Sequence, residues 1–266
     1  MTERAKAALR EADLVLCEDT RHTGRLLSAL GFGASLESLN DHNEDARTER
    51  VLELLRQGKR IALVSDAGTP LVSDPGYRLV RAALREGLPV TAAPGPNAAV
   101  TALCLSGLPP LPFLVLGFPP PRQAARRAGF GQLRAAERAG LSATLIWHEA
   151  PHRLAEMLAD LANAFAERPA AVARELTKRF EEVRRGPIGS LASHYAQQPA
   201  KGEITVLLGP PDAEPRDSEG LDDRLRRALA GNSLKDAAAL VAGATGLPRK
   251  LVYARALALE ADAPKP

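Results

Sequence analysis

The apolar run Ile61-Ala62-Leu63-Val64 ends abruptly in Ser65-Asp66-Ala67-Gly68-Thr69-Pro70, and that junction restricts the fold more than any other stretch of the chain. A short, continuous apolar run bounded by turn residues reads as a strand buried on both faces, the situation of a parallel sheet covered by helices. A Gly/Pro-rich loop at the carboxyl end of such a strand is where open α/β sheets place ligands. Gly68, lacking a Cβ, lets the backbone approach a ligand or take a positive φ. Asp66 can accept hydrogen bonds there, and the loop amides can take a carboxylate. The Ser73-Asp74-Pro75-Gly76 stretch that follows predicts a helix start, with Asp74 as N-cap and Pro75 as first helical residue.

The remainder of the first half repeats this alternation. A helix with Ala5, Ala8, Leu9 and Ala12 on one side precedes a strand, Leu14-Val15-Leu16-Cys17, that stops at Glu18-Asp19-Thr20-Arg21. A helix with Leu26, Leu27 and Leu30 closes at Gly31. It leads to a short strand over Leu36–Leu39, the polar run Asn40-Asp41-His42-Asn43-Glu44-Asp45 and a helix stopped by Gly58. After the 61–64 strand come a helix with Leu79, Val80, Ala83 and Leu84, a strand over Val90–Ala93, and Pro94-Gly95-Pro96-Asn97 opening another helix with Pro96 in its first turn. Alternating strands and helices predict a parallel α/β sheet.

Gly107–Pro112 cannot continue a helix and divides an N-terminal α/β domain (1–110) from a second one (111–210). The second domain reads as α+β with a mixed sheet. It has a strand at Phe113-Leu114-Val115-Leu116, the loop Gly117-Phe118-Pro119-Pro120-Pro121 and an Arg-rich helix over Arg122–Ala139. Beyond these lie strands at Ala143–Trp147, around Val172 and at Glu203–Leu208, and an antiparallel strand over Glu181–Arg185. Pro210–Glu219 is a Pro-rich linker, followed by a small helical appendage over 218–261 with segments Leu221–Ala230, Leu234–Ala242 and Pro248–Leu259. Its Arg224, Arg226, Arg227, Arg249 and Lys250 read equally as a phosphate-contacting face or as a solvated one.

Composition narrows the function classes. In 266 residues, apolar content of 45% and charged content of 25% are those of a soluble globular protein. The most apolar region, 100–121, is broken by prolines and is no membrane span, and no basic-plus-apolar leader opens the chain, so a cytoplasmic location is expected. Cys17 and Cys104 sit in apolar runs, match no metal-ligand spacing and read as buried thiols; no metal is expected. Aromatics make up only 4%, which gives no obvious stacking platform for single-stranded nucleic acid. The basic residues are mostly Arg, suited to bidentate phosphate contact, and no G-x-G-x-x-G follows an early strand.

Taken together and in order, Cys17–Arg21, Ser65–Pro70, Ser73–Gly76, Pro94-Gly95-Pro96, Glu149-Ala150-Pro151-His152-Arg153, Ala173–Lys178 and Lys201-Gly202-Glu203 resemble the ribosomal small-subunit RNA cytidine-2′-O-methyltransferase family, within the tetrapyrrole (corrin/porphyrin) methylase superfamily. The resemblance runs over nearly the whole chain, including the helical tail from Ser233 to Ala256. It implies a two-domain tetrapyrrole-methylase-like α/β fold with S-adenosylmethionine in the cleft, and a homodimer. The implied reaction is methylation of a cytidine ribose 2′-hydroxyl in the 16S rRNA of the 30S subunit, near the decoding centre. The cofactor would lie against Asp66, Ala67, Gly68, Thr69 and Pro70 and against Pro94, Gly95, Asn97 and Ala98, with Leu176, Gly202 and Glu203 closing over its adenosine part. Family members begin with a strand and a Pro-rich, Gly-Asn-Leu loop, whereas here Met1-Thr2 aligns with the first helix. That pattern fits either a start assigned too far downstream or a real truncation. The family's basic pair after the Gly-Phe loop is replaced by Pro119-Pro120-Pro121-Arg122.

A ribose hydroxyl is a poor nucleophile, so a base or an oriented carboxylate is expected beside it. Glu18 and Asp19 are the first candidates, then His42 and Glu44, although Asp19 or Thr20 would also serve as a helix cap. Arg21, Arg122, Arg126, Arg153, Arg174 and Lys178 are candidates for RNA phosphate contact, with Arg174 open to an ion pair with Glu175 or Glu149. Two other functions fit less of the chain. A methylase of a small tetrapyrrole or of a protein side chain needs neither the Arg-rich helix nor the basic tail. A non-catalytic RNA-binding or ribosome-assembly protein would bind 30S subunits without the cofactor.

Overall fold

The computed structural model describes residues 1–211, 220–245 and 247–261, which form one compact unit over Met1–Pro210 and a second over Pro211–Pro266. The first unit opens with α1 (Glu3–Glu11), capped by the Thr2 hydroxyl accepting from Ala5 N. There follow β1 (Leu14–Cys17), α2 (Thr20–Ala29), β2 (Leu36–Ser38), α3 (Glu44–Arg56), β3 (Ile61–Val64), α4 (Tyr77–Arg85) and α5 (Ala98–Ser106). The strands pair in parallel in the order β2-β1-β3, with Val15 opposite Leu36 and Ala62. Leu14 and Leu16 face Leu39, Val51 and Leu79 on one side of this sheet, and Val15 packs with Leu9 and Leu27 on the other.

Two expectations for this half are corrected. Only β1 is buried throughout; β3 lies at the edge of the sheet and is half-buried. Val90–Ala93 is no strand. A strand needs a neighbour for its backbone hydrogen bonds, and this exposed segment pairs with no strand among the described residues; Arg4 Nη2 of α1 donates to Thr91 Oγ1 at 3.0 Å, and just beyond it Thr2 Oγ1 donates to Pro94 O at 3.5 Å.

The second sheet is mixed, as its sequence predicts. It comprises β4 (Phe113–Val115), β5 (Thr144–Glu149), β6 (Pro169–Arg174), β7 (Glu182–Pro187) and β8 (Ile204–Leu208) in the order β4-β5-β8-β6-β7, with only β4 and β5 parallel. α6 (Gln123–Arg138), α7 (Leu154–Phe165) and α8 (Ile188–Gln197) cover one face over Leu145, Trp147, Val172 and Val206. The other face, with Ile146, Ala171, Ala173 and Leu207, is covered by α5 through Ala99, Ala102 and Leu103. α5 thus carries the chain from the first sheet onto the second.

In the second unit, α9 (Leu221–Leu229), α10 (Leu234–Thr245) and α11 (Arg249–Ala261) bury Leu225, Ala237, Ala238, Val241, Val252 and Ala256 against one another. Ser233 Oγ accepts from Asp236 N at the head of α10, as expected of a cap. The linker assigned to Pro210–Glu219 lies, over 212–219, outside the described residues, as do the first two positions of the 218–261 appendage. No helix among the described residues is long and apolar enough to cross a membrane.

Candidate active site

The carboxyl ends of β1 and β3 are tied together by Glu18, whose Oε1 accepts from Asp66 N at 3.1 Å. Gly68 takes the positive φ expected of it, +74°. Thr69 Oγ1 donates to Pro96 O at 3.2 Å, which joins the Asp66–Pro70 loop to the loop before α5. Asp66, Ala67, Gly68, Thr69, Pro94, Gly95 and Ala98 are exposed along this junction, with Pro70 and Asn97 half-buried. The amides of Ala67, Gly68, Thr69 and Gly95 find no protein acceptor among the described residues. Unpaired, exposed amides on a glycine-containing loop suit the carboxylate and hydroxyls of a small ligand such as S-adenosylmethionine. Asn97 caps α5, its side chain accepting from Val100 N at 3.0 Å, so Pro96 precedes the helix and does not stand in its first turn.

The second sheet contributes two edges. Leu176 packs against the cluster under α5, on the same helix whose first turn holds Ala98. The Gly202–Glu203 turn is locked to Glu175, which exchanges backbone and side-chain bonds with Glu203 (Glu175 N to Glu203 O, 2.9 Å; Glu203 N to Glu175 Oε1, 3.0 Å). Gly202 has φ +85°, and a Cβ there would collide with the Glu175 side chain. After β4, Gly117 has φ +66°, and a Cβ on it would stand 3.4 Å from Ser73 Oγ. The loop after β3 therefore meets the loop after β4.

The four sequence candidates for the base separate in space. Asp19 caps α2, accepting from Arg21 N at 2.8 Å, and its ion pair with Arg21 at 2.9 Å holds its carboxyl down to about 2, where it has little basicity. Glu44 is buried in the N-terminus of α4, with Oε1 accepting from Arg78 N (2.8 Å) and Leu79 N (3.1 Å). It cannot reach a substrate. His42 is exposed in the 40–43 turn, its amide donating to Asn40 Oδ1. Glu18 alone stands at the strand ends.

Beside Glu18 the structure places Asp74, which the sequence pattern assigns to a cap. That assignment is wrong: α4 begins at Tyr77, Gly76 with φ +117° holds the cap position, and Glu44 does the capping. A Cβ at Gly76 would strike the Leu63 side chain, so glycine is required there for space as well as for φ. Half-burial, then the Glu18 and Asp66 carboxylates, push Asp74 up to about 6. The Ser65 hydroxyl opposes the shift without making a hydrogen bond of normal geometry. A carboxyl poised near neutrality among strand-end carboxylates was missed because Asp-Pro-Gly before a helical pattern is locally indistinguishable from a cap.

The basic candidates divide in the same way. Arg126 is fully buried and paired with Asp160 at 2.7 Å, so it braces α6 on α7 and is unavailable to RNA. Arg153 is spent on Glu149 at 3.2 Å and on Pro119 O at 2.7 Å. Arg174 pairs with Glu182 across the β6–β7 ladder at 2.7 Å, rather than with Glu175 or Glu149. Arg122, Arg21 and Lys178 remain exposed. Arg21 pairs with Asp19, Lys178 bridges Glu175 and Glu203 at 3.1 Å each, and Arg122 has no partner among the described residues. Cys17 is buried as expected, but Cys104 is exposed.

Residues 1–192 match the tetrapyrrole (corrin/porphyrin) methylases, and residues 214–260 match the RsmI C-terminal HTH domain. The chain is 46% identical to ribosomal RNA small subunit methyltransferase I of Micromonospora olivasterospora, covering 99% of this chain and 84% of that protein. To the protein of the same name from Escherichia coli O157:H7 it is 41% identical, over 97% and 90% of the two chains. Among solved structures it is similar to a diphthine synthase (TM-score 0.59, 18% identity, 79% and 84% coverage) and to the methyltransferase CobJ (TM-score 0.57, 20% identity, 79% and 88% coverage). At those identities the likeness speaks for the fold alone. Both family matches fall in order along one chain that also aligns nearly end to end with these relatives, and the protein belongs to the tetrapyrrole methylase family, in its ribosomal RNA small subunit methyltransferase I group.

Proposed function

We propose that the protein methylates the ribose 2′-hydroxyl of a cytidine in 16S ribosomal RNA of the 30S subunit, near the decoding centre, using S-adenosylmethionine, and that it works in the cytoplasm as a homodimer. The observation that carries the reading is the end-to-end similarity to small-subunit rRNA methyltransferases, joined to the approach of the loop after β4 to the loop after β3. S-adenosylmethionine supplies a methyl group already activated on a sulfonium. The protein's part is therefore to align donor and acceptor and to take the hydroxyl proton.

In this reading the free amides of Ala67, Gly68 and Thr69 hold the cofactor's polar groups, and Thr69 fixes that loop against Pro96. Pro94, Gly95, Asn97 and Ala98 form the adjoining wall, with Leu176, Gly202 and Glu203 at the adenosine end. Asp74, ionised above about pH 6, takes the proton from the 2′-hydroxyl, and Glu18, which holds the Asp66 amide, raises the basicity of Asp74 through its like charge. Arg21, Arg122 and Lys178 contact phosphates around the entrance. Incubation of 30S subunits with labelled S-adenosylmethionine, followed by nuclease digestion and mass spectrometry, tests the reading. It predicts one 2′-O-methylcytidine; a base-methylated nucleoside, or methylation of tetrapyrrole precursors in preference to 30S subunits, refutes it.

A further inference from the structure

The loop after β4 carries a ring that the proposed chemistry leaves unused. Phe118 is 55% exposed, in a protein whose aromatic side chains are few. It follows Gly117, which stands against Ser73 in the loop that also carries Asp74. Its ring lies 5.7 Å from that of His148, centroid to centroid, and tilted by 50°. His148 is fixed by its amide donating to Gly117 O at 3.0 Å and by Thr205 Oγ1, 3.3 Å from Nδ1. Burial lowers the His148 imidazole below its usual range, so near neutrality it is an uncharged aromatic neighbour rather than a cation. On the other side, Arg153 clamps Pro119 O at 2.7 Å.

Between this loop and α6 lies an open depression of about 300 Å³ whose lining includes Phe118, Pro119, Pro120, Arg126, Gln132 and Trp147. The loop is thus pinned on both flanks while the Phe118 ring stays open to solvent. An exposed ring on a loop whose backbone is held on both flanks, with a neutral aromatic partner, costs little further ordering when a flat ligand stacks on it.

On the reading that the protein methylates a ribose, we propose that Phe118, backed by His148, is the platform on which the target nucleobase stacks once the nucleotide leaves its helix. A nucleoside is short, so the group that receives its base must lie close to the group that meets its hydroxyl; the Gly117–Ser73 approach provides that closeness to Asp74. Recognition through a π-face is tolerant of base identity and supplies position rather than hydrogen-bond readout. Phe180, the other strongly exposed phenylalanine at 62%, is less suited, because the Arg179 guanidinium already sits 5.5 Å from its ring centroid.

The test uses the full chain and an RNA oligonucleotide carrying a fluorescent cytidine analogue whose emission is quenched by stacking. The wild type is expected to quench. Phe118→Ala and Phe118→Leu should not, since leucine keeps the apolar bulk without a π-face, and Phe118→Trp should restore quenching. On 30S subunits, kcat/KM should fall roughly 5- to 150-fold for the alanine and leucine variants, with S-adenosylmethionine affinity and the melting temperature unchanged. Quenching without methylation of 30S subunits by the wild type would refute the functional reading and leave the platform standing. Undiminished quenching and kcat/KM in Phe118→Leu, a loss confined to cofactor affinity, or the same losses in Phe180→Ala but not in Phe118→Ala, would overturn the platform.

Discussion

Removing the Glu44 carboxylate should unfold the first unit more easily and should leave the chemical step nearly untouched. One oxygen of Glu44 accepts from the amides of Arg78 and Leu79, two of the donors that the first turn of α4 cannot satisfy internally, and Gly76 at the cap has no side chain to replace it. Glu44 is 2% exposed, so water does not take its place. A buried bond to a charged acceptor is worth about 1.5–3 kcal/mol, and an anion at a helix N-terminus adds about 0.3–1 kcal/mol. Two donors sharing one oxygen do not count twice in full, so Glu44→Ala should cost about 2–4 kcal/mol. For a domain of this size that lowers the melting temperature by roughly 4–16 °C. Glu44→Gln, which keeps an acceptor oxygen but loses the charge, should cost about half as much. Urea unfolding followed by circular dichroism gives the midpoint, and methyl transfer measured well below both midpoints gives the rate. An unchanged midpoint with a rate lowered about 100-fold or more, the loss expected of a missing base, would refute the capping role and return Glu44 to the chemistry.

Four further outcomes concern Asp74, Asp160 and Arg122. With Asp74 pushed up to about 6, the wild-type rate should rise with pH through that value and level off, and Asp74→Asn should be at least about 100-fold slower with that step gone. Because the native carboxyl binds a proton that the unfolded one has lost between about pH 4 and 6, stability should fall as pH rises through that window, and Asp74→Asn should flatten the slope; a slope that persists in the variant refutes the assignment. Asp160→Ala leaves the fully buried Arg126 without its 2.7 Å partner and should destabilise by about 3–5 kcal/mol in chemical denaturation. Arg122→Ala should leave melting unchanged, lower the affinity for 30S subunits and reduce the salt dependence of binding by about one counterion; an unaltered salt slope would remove Arg122 from the interface.

What could be read from the sequence and what could not divide along a physical line. Elements whose evidence is local were legible. The buried β1, the amphipathic helices, the antiparallel β7 and the Ser233 cap are each specified by residues a few positions apart. Roles fixed by a distant partner were not. Val90–Ala93 has the composition of a strand, yet whether it becomes one depends on a partner strand supplied from elsewhere in the chain, and it has none among the described residues. Asp74 satisfies the local rule for a cap, but the cap of α4 comes from Glu44, 34 residues from the amide it meets. Arg126 and Arg127 are adjacent in an Arg-rich helix and look alike in sequence, yet Arg126 is buried against Asp160 while Arg127 reaches the same carboxylate from a side chain that is 57% exposed.

The same distinction governs the site. The loop at Asp66–Pro70 could be recognised because glycine, proline and aspartate at a strand end constrain one another locally, and Gly68 adopts the backbone they imply. The groups that would turn that loop from a ligand floor into a reaction centre are gathered from elsewhere: Glu18 from β1, Asp74 from beyond the loop, and Phe118 and His148 from the second sheet. Glu18 is marked in the sequence by its place at a strand end, but Asp74, Phe118 and His148 sit in ordinary sequence contexts and are not distinguished until the sheets are built. A site gathered from two sheets makes this unavoidable. Strand-end loops indicate where a ligand would lie, while the residues proposed to act on it depend on which loop of the other sheet arrives opposite, as Gly117 does against Ser73.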